Sequence, residues 1–244
     1  GNMYRHGEGV TQSDAKAKEW FEKAADQGDS GAQVTLGRLY ESSESVRNNE
    51  KAFELFKMAA DQGSAQGQYL LGGFYARGKV VPQNDAAAVE LLTKAAAQGD
   101  SKAQYDLAGM YQSGRGVPRS DSKALALIKS AAQQGFDRAQ YQLAMMYRDG
   151  RVVPKDGSKA VAWYKKAADQ GYGRAQKDLK DAKGLQSSEV PQNTTAEEWF
   201  LQSADRVAPI GASFVVEGFE DPSKEGPSQN RGAACPRSCP LHRS

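Results

Sequence analysis

A phrase ending Ala-Ala-x-Gln-Gly recurs five times in this chain, its glycine falling at Gly28, Gly63, Gly99, Gly135 and Gly171, at intervals of 35, 36, 36 and 36 residues. A tyrosine keeps the same beat at Tyr4, Tyr40, Tyr75, Tyr111 and Tyr147. A fixed period in the thirties is the mark of a stacked array, because each unit is one supersecondary element that cannot bury its apolar face alone. Such a chain grows by adding units, so its 244 residues are not arithmetic for a count of central cores.

Within one period the apolar spacing is helical twice. Ala103, Leu107 and Tyr111 lie four apart with Met110 beside them, which predicts a first helix, helix A. Gly114, Gly116 and Pro118 then break the pattern and turn the chain. Ala124, Leu127, Ile128 and Ala131 follow at i, i+3, i+4 and i+7, which predicts helix B, with Gly135 as a left-handed cap. Asp121 is read as the N-cap of helix B, in a slot occupied by Asp14, Asn49, Asp85 and Asp121, with Asp156 one position early.

Other slots repeat as faithfully. The helix A leucine reads Leu36, Leu71, Leu107, Leu143 and Leu179, and the next residue is small at Gly37, Gly72, Ala108 and Ala144. Helix B carries pairs of large residues, Trp20–Phe21, Leu55–Phe56, Leu91–Leu92, Leu127–Ile128 and Trp163–Tyr164. The fold class predicted is all-α, a right-handed α/α superhelix of helix-turn-helix repeats of about 36 residues. The unit at 41–50 lacks one residue and has Ser43 and Ser45 in place of loop glycines, so its turn is expected to change shape while its packing survives.

The array is read as residues 1–205, with a truncated first unit whose end frays and a degenerate last one. In that last unit Ala175, Gln176 and Leu179 persist, Lys183 replaces the tyrosine, and Ala196–Asp205 with Trp199 echoes an earlier helix B. Residues 206–244, rich in Pro, Gly and Ser, are expected to be mostly disordered, with 211–219 as an apolar patch able to dock on the last helix. The chain opens inside a repeat without methionine, and reads as a fragment or a processed form.

The order Ala-x-Gln-Gly, Ala-Gln-x-x-Leu-Gly-x-x-Tyr, Gly-x-Gly-Val, Asp, Lys-Ala-x-x-Trp resembles the Sel-one-like repeat, a relative of the tetratricopeptide repeat. The resemblance covers about residues 1–205. It implies an α/α superhelix with helix A toward the concave side, a role as adaptor or scaffold in protein complexes, and a bacterial setting in the cytoplasm, the periplasm or the cell envelope. A cysteine-rich branch of the family is described as binding β-lactams and has paired cysteines in its repeats. Here Cys235 and Cys239 both lie in the tail, so that activity does not carry over.

Chemistry has few places to reside. His6 and His242 are the only histidines, and no nucleophile–base pair is apparent, so no catalytic residue and no cofactor is assigned. Cys235, Cys239 and His242 supply three ligands where structural zinc takes four, and no metal site is assigned. With 32 basic against 30 acidic residues and no basic run beyond two, no nucleic-acid footprint is present, and no apolar stretch is long enough to span a membrane.

A glutamine recurs at Gln33, Gln68, Gln104, Gln140 and Gln176, at the edge of the core face, and is expected to bond to the neighbouring unit's backbone. Tyr69, Tyr105 and Tyr141 lie about 160° around helix A from the leucine seam. They form either an aromatic stripe facing a partner or packing between successive A helices. Arg38 and Glu41, Gly73 and Ala76, Gly109 and Gln112, and Met145 and Arg148 occupy adjacent slots. The candidate partner-binding set is therefore Arg38, Glu41, Tyr69, Tyr105, Gln112, Tyr141, Met145 and Arg148, directed at a protein or peptide. A β-lactam-binding or hydrolytic protein and a purely structural spacer are the alternatives.

Overall fold

The computed structural model describes residues 1–185, and side chains as far as residue 179. The expectations for the Ala196–Asp205 echo, the 206–244 tail, the 211–219 patch and the Cys235, Cys239 and His242 group lie outside these described residues.

The described chain is helix throughout, joined by turns. A short α1 (Asn2–His6) precedes ten helices of 13 residues: α2 (Asp14–Asp26), α3 (Ser30–Ser42), α4 (Asn49–Asp61), α5 (Ala65–Arg77), α6 (Asp85–Ala97), α7 (Ser101–Ser113), α8 (Asp121–Gln133), α9 (Asp137–Asp149), α10 (Gly157–Asp169) and α11 (Gly173–Leu185). Odd-numbered helices are A and even-numbered are B. Each helix packs on its neighbours in the chain, α2 on α3 through to α10 on α11, the arrangement of an α-solenoid. The short helix α1 buries none of its residues.

Buried apolar residues fall into successive clusters along the array. Phe21, Leu36, Phe53, Phe56 and Phe74 belong to one, Leu92, Leu107 and Met110 to the next, Ile128, Leu143 and Met146 to another, and Ala160 and Tyr164 to the last. The second member of each helix B pair is the core residue, with Phe56, Ile128 and Tyr164 fully buried, while Leu55, Leu91, Leu127 and Trp163 are partly buried against the clusters and Trp20 is 52% exposed. The two tryptophans among the first members also make surface contacts, with Lys23 over Trp20 at 4.9 Å and Lys166 over Trp163 at 4.1 Å. The small slot of helix A lets α3 and α4 close on each other: a Cβ on Gly37 would stand 2.5 Å from the Phe56 ring.

The recurring glutamines connect three consecutive helices. Gln104 donates from Nε2 to the carbonyl of Ala96 on α6 at 3.2 Å, and its Oε1 accepts from Nε2 of Gln134, beyond the end of α8, at 2.8 Å. Gln33 and Gln140 do the same with Ala25 and Gln62, and with Ala132 and Gln170. Gln98 likewise donates to Gln68. The expectation of a buried amide bonding to the neighbouring unit's backbone holds. The donor supplied by the Gln of the Gln-Gly phrase is a further half of the relay.

That phrase also closes helix B. Gly28 takes φ 86°, and the N–H groups of Gly28 and Asp29 return to the carbonyls of Ala25 and Ala24, a Schellman closure that needs a residue at ease in the left-handed region. The capping slot is corrected by one residue. Ser13, Asn48, Asn84 and Ser120 are the N-caps, accepting from the N–H three positions on, while Asp156 is in register with them. Asp14, Asn49, Asp85 and Asp121 are the first helical residues; there the positive end of the helix favours the acids' charge without a capping bond.

Each N-cap N–H bonds to the carbonyl of the periodic tyrosine, Ser13 to Tyr4, Asn48 to Tyr40, Asn84 to Tyr75, Ser120 to Tyr111 and Asp156 to Tyr147. Lys16, Lys51, Lys123 and Lys159 then lie 5.3–5.5 Å over the rings of Tyr4, Tyr40, Tyr111 and Tyr147. The shortened 41–50 unit does change its turn: Ser43 is extended at φ −82° and ψ 125°, where Gly78, Gly114 and Gly150 end their helices left-handed. Its packing is intact, with Phe53, Phe56, Phe74 and Tyr75 in edge and tilted contacts.

Val80 (φ 75°) and Val152 (φ 63°) sit in left-handed backbone where other units place Gly9 and Gly116. A β-branched residue there is strained by about 1–2 kcal/mol. Val152→Gly is therefore expected to stabilise the fold by about 1 kcal/mol after the added chain entropy of glycine is counted, measured as a higher urea midpoint. Gln104→Ala should lower stability by about 2 kcal/mol, since it strands the buried Ala96 carbonyl and frees the Gln134 amide.

Candidate functional site: a groove on the A-helix face

A depression of about 370 Å³ opens on the A-helix face between α5, α7 and α9. It exists because small residues occupy slots that carry long side chains elsewhere. Gly73 and Gly109 stand where α3 has Arg38 and α9 has Met145, and Ala76 stands where Glu41 and Arg148 stand. A Cβ on Gly109 would meet no atom within 4 Å.

Polar groups with distinct chemistry line the opening. Tyr105, Asp106 and Gln112 come from α7, Arg77 from α5 and Gln142 from α9. Gln142 donates to Oε1 of Gln112 at 3.0 Å, which leaves the Gln112 amide N–H₂ and the Gln142 amide oxygen outside that bond. At one edge Arg115 clasps Asp85 with Nη2–Oδ1 at 2.6 Å and Nε–Oδ2 at 3.2 Å, and also donates to the Ala76 carbonyl at 3.0 Å. That fork ties a loop to the end of α5 and the start of α6, and it holds the Asp85 carboxyl below its usual range.

Asp106 is the unusual member. Its side chain is open to solvent, yet surrounding protein pushes its carboxyl pKa up, against the pull of the Tyr69 hydroxyl, Arg138 and Arg77. A carboxylate on the floor of a concavity has this character, with water on one side and poorly solvating protein on the others. Burial, and then the Asp106 charge and hydrogen bond, raise Tyr69 to about 12. Tyr105 is raised too, chiefly by burial.

The structure distributes the sequence-predicted residues unevenly. Tyr105 and Gln112 line the groove. Tyr69 is half-buried and reaches Asp106 across the helix interface. Tyr141 packs against Tyr164 and Tyr172 with ring centroids at 5.4 and 5.1 Å, and donates to Asp178 at 3.1 Å. Tyr105 stacks edge-on to Phe136 at 5.4 Å. The tyrosines thus lie between successive helices, with one edge toward the groove at Tyr105. Glu41 pairs with Lys79 at 3.1 Å, Arg148 with Asp149 at 2.7 Å, and Met145 packs on the Tyr164 cluster. Arg38, on α3, is partly buried, and its Nε finds no hydrogen-bond partner among the described residues.

Asp106, Arg77, Gln142 and Arg115 were missed. Asp106 belongs to a slot reading Thr35, Leu70, Asp106, Gln142 and Asp178, and variation inside an otherwise constant repeat was the available signal. Among the described residues no group of three His, Cys, Asp or Glu could hold a metal, and no helix is long and apolar enough to cross a membrane.

Because the Asp106 carboxyl is raised on folding, its ionisation opposes the fold: its contribution is favourable at acid pH and fades as pH rises through the raised value. Asp106→Asn is accordingly expected to raise the melting temperature at pH 7, with the gain vanishing below the ordinary carboxylate pKa. Thermal melts of both proteins across that range measure it.

The Sel1 repeat model matches five consecutive stretches, residues 1–29, 30–64, 65–100, 101–136 and 137–172. A Sel1 repeat protein from Oxalobacter formigenes is similar over 84% of this chain and 82% of its own, at 30% identity and a TM-score of 0.71. The protein c5321, a protective antigen of uropathogenic Escherichia coli strains with the same type of repeat fold, is 31% identical with a TM-score of 0.65. The match covers 84% of this chain and 44% of that one. An immunity protein from Pseudomonas aeruginosa, PA5088, shares the fold at 24% identity and a TM-score of 0.51, over 78% of this chain and 70% of its own. No curated protein is a significant match. The repeat phrase, the glutamine relay and the model match over residues 1–172 lead to one conclusion: the chain belongs to the Sel1 repeat family.

Proposed function

We propose that this protein is a non-enzymatic interaction scaffold that holds an extended segment of a protein partner in the groove between α5, α7 and α9. Sel1 repeat proteins are typically protein-interaction scaffolds. The finer reading is carried by the clearance above Gly109, flanked by free amide functions of Gln112 and Gln142. An extended peptide presents alternating N–H and C=O groups, and paired glutamine amides can meet both. Tyr105 offers a half-buried aromatic surface for a side chain, while Asp106 and Arg77 offer charges of both signs. Tyr69 acts through Asp106 by holding its carboxylate in place. A catalytic reading lacks a nucleophile–base pair in the groove, and a spacer has no use for a carboxylate that opposes folding.

A photo-crosslinking phenylalanine derivative placed at Ser113, on the lining of the groove, in the full chain is expected to capture a partner from an extract of the source cells. The same derivative at Glu90, on helix B, should not capture it. Gly109→Trp fills the groove without a positive φ to disturb and should abolish capture while circular dichroism stays unchanged. Identical adducts from both positions would sink the proposal.

A further inference from the structure

A second concavity, of about 540 Å³, lies on the other side of the repeats between α2, α4 and the turn at residues 78–84. Its floor is apolar, formed by Leu36, Phe53, Leu55, Met58 and the pair Val80–Val81. Met58 is 46% exposed and Val80 42% exposed, and both line the trough. Glu22, Asp26, Glu50 and Glu54 ring it, against the single Lys51.

Internal pairing does not neutralise that rim. Glu22 accepts from the Tyr40 hydroxyl at 2.9 Å and lies 3.5 Å from Lys18, and Lys51 is drawn over the Tyr40 ring at 5.5 Å. Asp26, Glu50 and Glu54 take part in no ion pair among the described residues. Carboxylates gathered around exposed apolar surface repel one another, and a cation with an apolar neighbour relieves both the repulsion and the exposure.

Val80 adds an independent observation. Its left-handed backbone would be relaxed by glycine, as at Gly9 and Gly116, yet here, as at Val152, a valine fills the slot, and Val80 lines the trough. Replacing Val80 by glycine therefore separates the backbone cost of this residue from its contribution to the trough.

We propose that this outer face docks a basic amphipathic segment of a partner protein, its apolar side chains in the Met58–Val80 trough and its lysines or arginines against Glu50, Glu54 and Asp26. The site is separate from the A-helix groove, so one chain can join two partners.

The test is fluorescence anisotropy of the full chain with a labelled amphipathic Leu/Lys helix, and with a Leu/Glu helix of the same pattern. Binding of the Leu/Lys peptide alone is expected, weakening as salt rises. Glu50→Lys with Glu54→Lys should weaken it about tenfold or more. Glu90→Lys with Asp169→Lys, the same charge change away from the trough, should leave it within about twofold. Val80→Gly is expected to raise the melting temperature and yet weaken the peptide, a pair of opposite shifts that a purely structural valine would not give. No binding, equal loss in the control pair, or loss on Gly109→Trp would overturn the proposal. A dimer dissolved by Met58→Asp in sedimentation would also overturn it, assigning the face to a second copy.

Discussion

A two-helix unit of this length exposes an apolar flank that only the next unit can cover, and that dependence shapes the molecule. The core is accordingly a succession of clusters, each assembled from facing A and B helices, with Phe56, Leu92, Ile128 and Tyr164 filling one slot in turn. Stability in such an array is a sum over neighbouring contacts. A change in one unit is felt by its neighbours, and a shortened turn such as that at 41–50 is tolerated where the helices on either side keep their packing.

Burying helix ends at each junction creates polar groups that need partners. The glutamine relay meets this need with one residue type used twice, once inside helix A and once at the end of helix B. Gln104 satisfies the Ala96 carbonyl behind it and receives Gln134 ahead of it. The bond from each N-cap N–H to the periodic tyrosine carbonyl fixes the opposite end of the hairpin. Packing alone would allow sliding along the apolar flank, and these directed bonds set the register.

With the packing carried by constant slots, the others are free to vary, and each concavity owes part of its lining to variable positions. On the A-helix face Gly73, Ala76 and Gly109 open space, and Asp106 occupies it in a form that costs stability. On the outer face Val80 accepts a strained backbone to present an apolar side chain. Local departures from the best choice for folding stand out here because other units, such as those with Gly9 and Gly116, show what that choice is.

The sequence determined the period, the two helices of each unit, the left-handed glycine after helix B and the structural role of Gln33, Gln104 and Gln140. All of these follow from local spacing and backbone chemistry. It placed the N-caps one residue late, because Asp14, Asp85 and Asp121 cap as well on paper as Ser13, Asn84 and Ser120; which oxygen reaches the free N–H depends on where the turn enters the helix. Of the candidate partner-binding residues, Tyr105 and Gln112 line a groove, whereas Tyr141, Met145 and Arg148 are engaged with α10, α11 or Asp149. That division was settled only when residues some 36 apart in the chain were brought side by side, since a concavity is made by the side chains that are missing opposite as much as by those present.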